Sequence, residues 1–158
     1  FQILGEENGI MVVDDYSHNP VKIKAALSAA LKGNRKRVIA IFQPHRYTRT
    51  KLLMQQYQET FANSPDILIV TDIYPASEKA IPGITGEKLA EKIKESAPKI
   101  RVYYLPGEEE ILRFLHRETR PGDLVISLGA GDINRTIAKF YRSLQQVENP
   151  RLSGALTR

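Results

Sequence analysis

The sequence predicts an α/β domain of Rossmann-like, three-layer type: a mostly parallel sheet of about six strands with helices on both faces and one antiparallel strand. Three observations lead there. Apolar runs of strand length at 38–42, 67–70, 100–105 and 124–128 alternate with stretches whose apolar residues recur three and four apart, and a parallel crossover needs a helix to carry the chain back. Ahead of them, 1–6 and 10–13 flank Glu7-Asn8-Gly9, a hairpin signal that adds the antiparallel strand. Finally, the polar segments 14–19, 43–50 and 129–132 each follow a strand, so they gather along one edge of such a sheet.

Each element has its own local cause. After 10–13, Asn19-Pro20 supplies an N-cap and a proline at the first helical position, where its missing N–H costs nothing. The helix that follows carries Ile23, Ala26, Leu27, Ala30 and Leu31 as one apolar stripe and ends at Gly33-Asn34. Arg35-Lys36-Arg37 is expected as a solvated loop before the next strand. The continuous run 38–42 suits a strand covered on both faces. A second helix spaces Leu53, Tyr57 and Phe61 four apart and closes near Asn63-Ser64-Pro65. The strand 67–70 opens into a long segment, 71–84, containing Asp72, Tyr74, Glu78, Lys79, Pro82 and Gly83; a loop of that length in a compact domain is usually functional or mobile. Thr85 caps a helix burying Leu89, Ala90, Ile93 and Ala97. After 100–105, Pro106-Gly107 starts a helix with Glu108, Glu109 and Glu110 in its first turn, where carboxylates favour the dipole, and Ile111, Phe114 and Leu115 form its buried side. Arg120-Pro121-Gly122 is a turn, 124–128 the last strand, and Gly129-Ala130-Gly131-Asp132 leads into a helix with Ile133, Ile137, Phe140 and Tyr141 on one face. The expectation is one domain over 1–146 and a flexible tail over 147–158.

Composition narrows the function classes. With 158 residues, 42% hydrophobic and 26% charged, the chain has enough material for one real core. It contains no cysteine, which excludes disulfides, thiolate metal sites and a cysteine nucleophile and permits a cytoplasmic location. No apolar run reaches membrane-span length and no signal-peptide pattern opens the chain. Phe1 in place of methionine is expected of an excised piece or a processed product. The net charge of +5 suits an anionic ligand, but no basic repeat interleaved with aromatic residues points to nucleic acid.

The chemistry-bearing residues sit at the strand ends. Arg46 and Arg49 lie three apart beside His45, near the start of a helix, and such guanidinium groups form paired hydrogen bonds to a carboxylate or phosphate; pairing with surface acids is the equal alternative. His18 beside Asp14 and Asp15 can act as metal ligand, base or binding group, with His45 as the only other nearby histidine for a metal set. His116, among Arg113, Arg117 and Glu118, reads as a surface residue. Gly129-Ala130-Gly131 is half a dinucleotide fingerprint, with Asn134 where the third glycine belongs; a close strand–helix turn explains it as well. The chain has no phosphate-binding Gly-x-x-x-x-Gly-Lys-Ser/Thr loop and no Gly-x-Ser-x-Gly nucleophile turn, so any ATP phosphates must be held by another part of the protein.

Asp14-Asp15-Tyr16-Ser17-His18-Asn19-Pro20, Phe42-Gln43-Pro44-His45-Arg46-Tyr47-Thr48-Arg49-Thr50, Asp72-Ile73-Tyr74-Pro75-Ala76-Ser77-Glu78 and Gly129-Ala130-Gly131-Asp132-Ile133, in this order, resemble the C-terminal domain of the Mur ligases over about residues 1–144. The His-Arg-Tyr-Thr-Arg cluster resembles the branch that joins L-alanine to UDP-N-acetylmuramate, rather than those adding glutamate, diamino acids or recycled peptides. The resemblance implies a cytoplasmic, ATP- and Mg2+-dependent ligase of peptidoglycan synthesis. The muramoyl carboxylate becomes an acyl phosphate that the alanine amine attacks, with the UDP-sugar domain and the central ATP- and metal-holding domain lying outside this chain. It further implies that Arg46 and Arg49 hold the alanine carboxylate, that His18, Tyr16 and His45 shape its pocket, and that Asp15 contacts ATP, with no catalytic or metal-binding residue in this domain and no activity expected of it in isolation. Asn19 departs from the family's His-His-Pro turn, and Ala80 stands where proline is frequent. The alternatives are a related Mur ligase adding another amino acid or peptide, a non-catalytic flavodoxin-like binding module, and a basic nucleic-acid binder.

Overall fold

The computed structural model of the chain describes residues 1–147. Its elements in order are β1 (Gln2–Glu7), β2 (Ile10–Asp15), α1 (Pro20–Lys32), β3 (Arg37–Phe42), α2 (Tyr47–Thr60), β4 (Ile67–Val70), α3 (Gly86–Ser96), β5 (Arg101–Tyr104), α4 (Glu108–Glu118), β6 (Asp123–Leu128) and α5 (Ile133–Val147). Of the expected tail over 147–158, Val147 is the last residue of α5 and 148–158 lie outside the described residues. None of the described helices is long and apolar enough to cross a membrane.

The six strands form one sheet in the order β1-β2-β6-β3-β4-β5. Only β1 is antiparallel, pairing with β2 through a two-residue turn in which Asn8 and Gly9 both have positive φ, the backbone that matches strand twist in a tight hairpin. The other pairings are parallel, with Val13 opposite Ile126, Ile126 opposite Ala40, and Ala40 opposite Leu68. β6 is last in sequence but sits between β2 and β3, and all six of its residues are buried.

Two apolar clusters flank the sheet. On one face α1, α2 and α3 bring Ile23, Leu27, Tyr57, Phe61, Leu89 and Ile93 against Val13, Ala40, Phe42, Leu68 and Ile126. On the other, α4 and α5 bring Ile111, Phe114, Ile137 and Phe140 against Val12, Ile39, Ile41, Ile69 and Val125. Alternate residues of one strand thus enter opposite cores, and strands covered on both faces become uninterrupted apolar runs. The helix starts follow their caps: Asn19 accepts from Lys22 N at 3.0 Å, and Thr85 from Lys88 N at 3.0 Å.

The sheet and helices lie where the periodicity puts them, with boundaries shifted by one or two residues, but two details differ. Leu31, expected on the buried stripe of α1, is 52% exposed, since the buried face of the helix runs through Ile23, Ala26, Leu27 and Ala30 and leaves it at the margin of the last turn. Arg37 is not a solvated loop residue. It opens β3 opposite Asp123, whose side chain is 3% exposed, and grips that carboxylate with Nε at 3.0 Å and Nη2 at 2.7 Å, while Nη2 also donates to the Glu118 carbonyl. Arg35 pairs with Glu6, leaving Lys36 as the exposed member of the run. A buried carboxylate needs both donors, since breaking such a pair strands a charge. Replacing Arg37 by Met should therefore lower the unfolding free energy by roughly 2–3 kcal/mol, measured by urea denaturation.

Candidate functional site

Parallel pairing sends the carboxyl ends of β2, β6, β3 and β4 to one edge of the sheet. From β2 and β3 the chain turns to helices on one face; from β6, between them, it turns to α5 on the other. That reversal opens a crevice at the rim, the usual ligand position in such sheets. The 14–19 turn and the 43–50 cluster, expected to share this rim, do so. The rings of His18 and His45 lie 5.6 Å apart, Tyr16 meets His18 edge-on at 6.0 Å, and the Arg49 guanidinium donates to His45 Nδ1 at 3.1 Å. Tyr57, fully buried on α2, donates its hydroxyl to the His18 carbonyl at 2.8 Å and ties the two segments together. Burial pushes that phenol up to about 12, so it remains a donor throughout the physiological range.

The segment after β4 completes the wall. His45 and Tyr74 form an isolated parallel bridge, with Tyr74 N donating to the Pro44 carbonyl and Arg46 N to the Tyr74 carbonyl, each at 2.8 Å. The Tyr74 ring stacks on His45, with centroids 5.5 Å apart and planes 14° from parallel. Its other neighbour is Gly131, where a Cβ would come within 2.5 Å of the Tyr74 ring and 2.6 Å of Gln43 Oε1. Gln43 in turn donates to Asp132 at 2.7 Å and accepts from Ile133 N at 3.2 Å, joining the end of β3 to the start of α5. The glycines of 129–131 are thus those of a close strand–helix turn.

The rim carries two arginines. Arg46 is exposed and Arg49 half-buried, and neither guanidinium forms a salt bridge among the described residues. Pairing with surface acids, one of the two expectations for these arginines, is thus not seen among the described residues. Burial, then the charges of Arg49, His18 and Arg46, lower the His45 pKa below its usual 6.5 against a smaller pull from Glu78. A guanidinium only donates, so Nδ1 of His45 accepts and the ring proton sits on Nε2.

Asp15 lies apart from this cluster. It is 6% exposed and accepts from Ser17 N at 2.8 Å through Oδ1 and from the main-chain nitrogen of Phe1 at 2.9 Å through Oδ2. Burial acts to raise its pKa and the bonds from Ser17 to lower it. It faces a shallow hollow with Lys22, Ala25 and Ala29 of α1. A second cleft, of about 440 Å3, opens beside Tyr74 and Gln43, lined by Asp72, Pro106, Glu108, Asp132 and Lys139, with Lys139 paired to Glu108; none of the six residues singled out for the site lines it. Among the described residues no three His, Asp or Glu side chains converge to hold a metal.

Sequence reasoning assigned no role to Gln43, Tyr57, Tyr74, Glu78 or Asp132. The available signal was position: Gln43, Tyr74, Glu78 and Asp132 stand in polar segments directly after strands. Tyr57, on an apolar stripe, showed nothing of its hydroxyl partner. Two outcomes test the rim. His45 followed by NMR should titrate below 6.5, and Arg49→Gln should move that midpoint upward. Because the folded value is depressed, the stability His45 contributes is complete above 6.5 and is lost as the pH falls through the folded value, where the unfolded chain binds the proton more readily. Gly131→Ala should destabilise the domain by about 1–3 kcal/mol in thermal or urea unfolding, because Tyr74 and Gln43 must move.

Residues 1–131 match the family described as Mur ligase, glutamate ligase domain. The UDP-N-acetylmuramate–L-alanine ligase of Acetivibrio thermocellus is 45% identical to the chain over 147 residues, covering 93% of this chain and 31% of that protein. The protein of the same name from Geotalea daltonii is 47% identical over 146 residues, again 92% of this chain and 31% of that one. The chain therefore spans less than a third of the length of these relatives. Among solved structures, the UDP-N-acetylmuramate–alanine ligase of Thermotoga maritima aligns with a TM-score of 0.67 at 24% identity, covering 92% of this chain and 29% of that one. The MurF ligase of Thermotoga maritima in complex with ADP aligns with a TM-score of 0.62 at 23% identity, covering 90% and 30%. At those identities the structures speak to the fold alone, and it is the same fold. With the match running through β1 to β6 and the Gly129–Gly131 turn, the chain belongs to the Mur ligase family.

Proposed function

We propose that the chain is the C-terminal domain of a cytoplasmic, ATP-dependent ligase that joins L-alanine to UDP-N-acetylmuramate in peptidoglycan synthesis, and that its own task is to seat L-alanine. The observation that carries this is the 45% identity, over 93% of the chain, to a protein of that name. The unpaired Arg46 and Arg49 on the rim support it, since they offer a zwitterionic amino acid two cationic donors for its carboxylate.

In the reaction as proposed, a muramoyl carboxylate oxygen attacks the γ-phosphorus of ATP, ADP leaves, and an acyl phosphate results. The alanine nitrogen then attacks the acyl carbon; the new C–N bond forms, the C–O bond to phosphate breaks, and the amine gives up a proton as inorganic phosphate departs. This chain's residues serve the second step by position. Arg46 and Arg49 take the alanine carboxylate, the neutral His45 adds Nε2–H as a third donor, and His18 and Tyr16 close the side of the seat. Asp15 would meet the nucleotide with lone pairs not taken by Ser17 and Phe1, a carboxylate having about four such sites. The described residues gather no metal-binding set, and no step here runs through Mg2+; it and the ATP phosphates are assigned to the domains preceding this one. Holding the amine near the acyl carbon after those domains close on it lowers the barrier by proximity, and an isolated domain, lacking the partner surface, turns nothing over.

In the full-length protein, Arg46→Ala should weaken alanine use by about 1.5–3 kcal/mol in kcat/KM, the range for losing a hydrogen bond to a charged group. The assay is phosphate release with ATP and UDP-N-acetylmuramate against a panel of amino acids. Unchanged dependence on L-alanine in the variant, or a preference for another amino acid in the parent, would overturn the assignment.

A further inference from the structure

The arginine helix starts without a cap of its own. The residue at the N-cap position of α2 is Arg46, at φ 72°, and its side chain caps nothing; a guanidinium has no acceptor to offer the free N–H groups of a first turn. The acceptor comes from another segment. Glu78, thirty residues on, takes the Thr48 N–H on Oε1 at 3.1 Å and the Thr48 hydroxyl on Oε2 at 2.6 Å. These bonds, with Arg46 nearby, hold its carboxyl below the usual carboxylate range.

The backbone that delivers Glu78 is unusual. Glu78 N donates to the Pro75 carbonyl at 3.0 Å, closing a tight turn whose two central residues, Ala76 and Ser77, have φ of 49° and 71°. Both central residues of a turn with positive φ normally mean Gly or Asn, because a Cβ is crowded there. Non-glycine residues persist in such conformations only where surrounding contacts hold them, and such outliers cluster at functional sites. Here the contacts that hold them are the Tyr74 bridge on one side and the two Thr48 bonds on the other. The 71–84 segment is therefore fastened to the first turn of α2 at two points, and between those points stands Arg46.

We infer that Glu78 is a positioning residue for amino-acid binding: it caps α2 from outside the helix and so fixes the first turn, with Arg46 and Arg49, in the geometry that receives a carboxylate. This rests on the proposed alanine seat. Glu78 touches no reacting atom; its negative charge balances the helix end without taking either guanidinium into a salt bridge.

The test uses the full-length protein and phosphate release at varied L-alanine with ATP and UDP-N-acetylmuramate saturating, comparing the parent with Glu78→Ala, Glu78→Gln and Arg46→Ala. Loss of the cap in Glu78→Ala should raise the KM for L-alanine on the order of five- to tenfold while kcat and the KM for ATP stay within about twofold, and Glu78→Gln, which keeps an acceptor for Thr48 N–H, should recover most of the loss. Two results overturn the inference while leaving the alanine seat standing: an unchanged KM for L-alanine in Glu78→Ala where Arg46→Ala raises it, or a loss of kcat together with raised KM values for both ATP and L-alanine, alike in both Glu78 variants, the mark of a purely structural role. A parent enzyme indifferent to L-alanine overturns both.

Discussion

The insertion of β6 between β2 and β3 is the constraint on which the rest of the structure depends. Parallel strands must be joined by helices, and a strand placed last in sequence but central in space forces its following helix onto the face its neighbours leave free. The chain after Asp15 and after Phe42 turns one way, the chain after Leu128 the other. Three loops are thereby splayed at the rim, with a gap between them. The surrounding strands are buried on both faces, so the gap sits on a rigid base, which is what positioning a small substrate requires.

Within that gap the polar groups are arranged so that positive charge stays unpaired. Asp15, the nearest carboxylate in sequence to His18, accepts from the Ser17 N–H. Glu78 spends its charge on Thr48. Asp132 accepts from Gln43. What remains open is Arg46, with Arg49 bound only to a neutral imidazole. Guanidinium groups placed so can hold a carboxylate through their planar geometry, which is the basis of the alanine seat proposed above. The same rim is stitched at main-chain level, through the Tyr74 bridge and the Gly129 N–H to the Asp15 carbonyl at 3.1 Å, so side-chain positions there follow the sheet rather than a mobile loop.

The division of labour proposed for the complete ligase follows from what this domain carries. It presents donors for a carboxylate but gathers no metal-binding set among the described residues and has no phosphate loop in its sequence. Relatives about three times as long are 45–47% identical to it over most of the chain. In the proposal such a domain brings one reactant to another, a contribution that depends on the partner surface being in place.

The sequence by itself determined the element order, the two-sided burial of the strands and the segments that meet at the rim, because these depend on local periodicity and on the rule that parallel strand ends share an edge. Ile39 and Ala40 alternate between two cores as their run implies, and Asn19 and Thr85 cap as their residue types imply. Only the tertiary structure decided what each polar side chain faces. That Arg37 grips Asp123, that Tyr57 reaches the His18 carbonyl and that Glu78 caps a helix thirty residues behind it are contacts between segments distant in the chain. A residue's type limits which bonds it can make, but the partner is chosen by the packing of the sheet and helices, which brings together groups that no spacing along the chain relates.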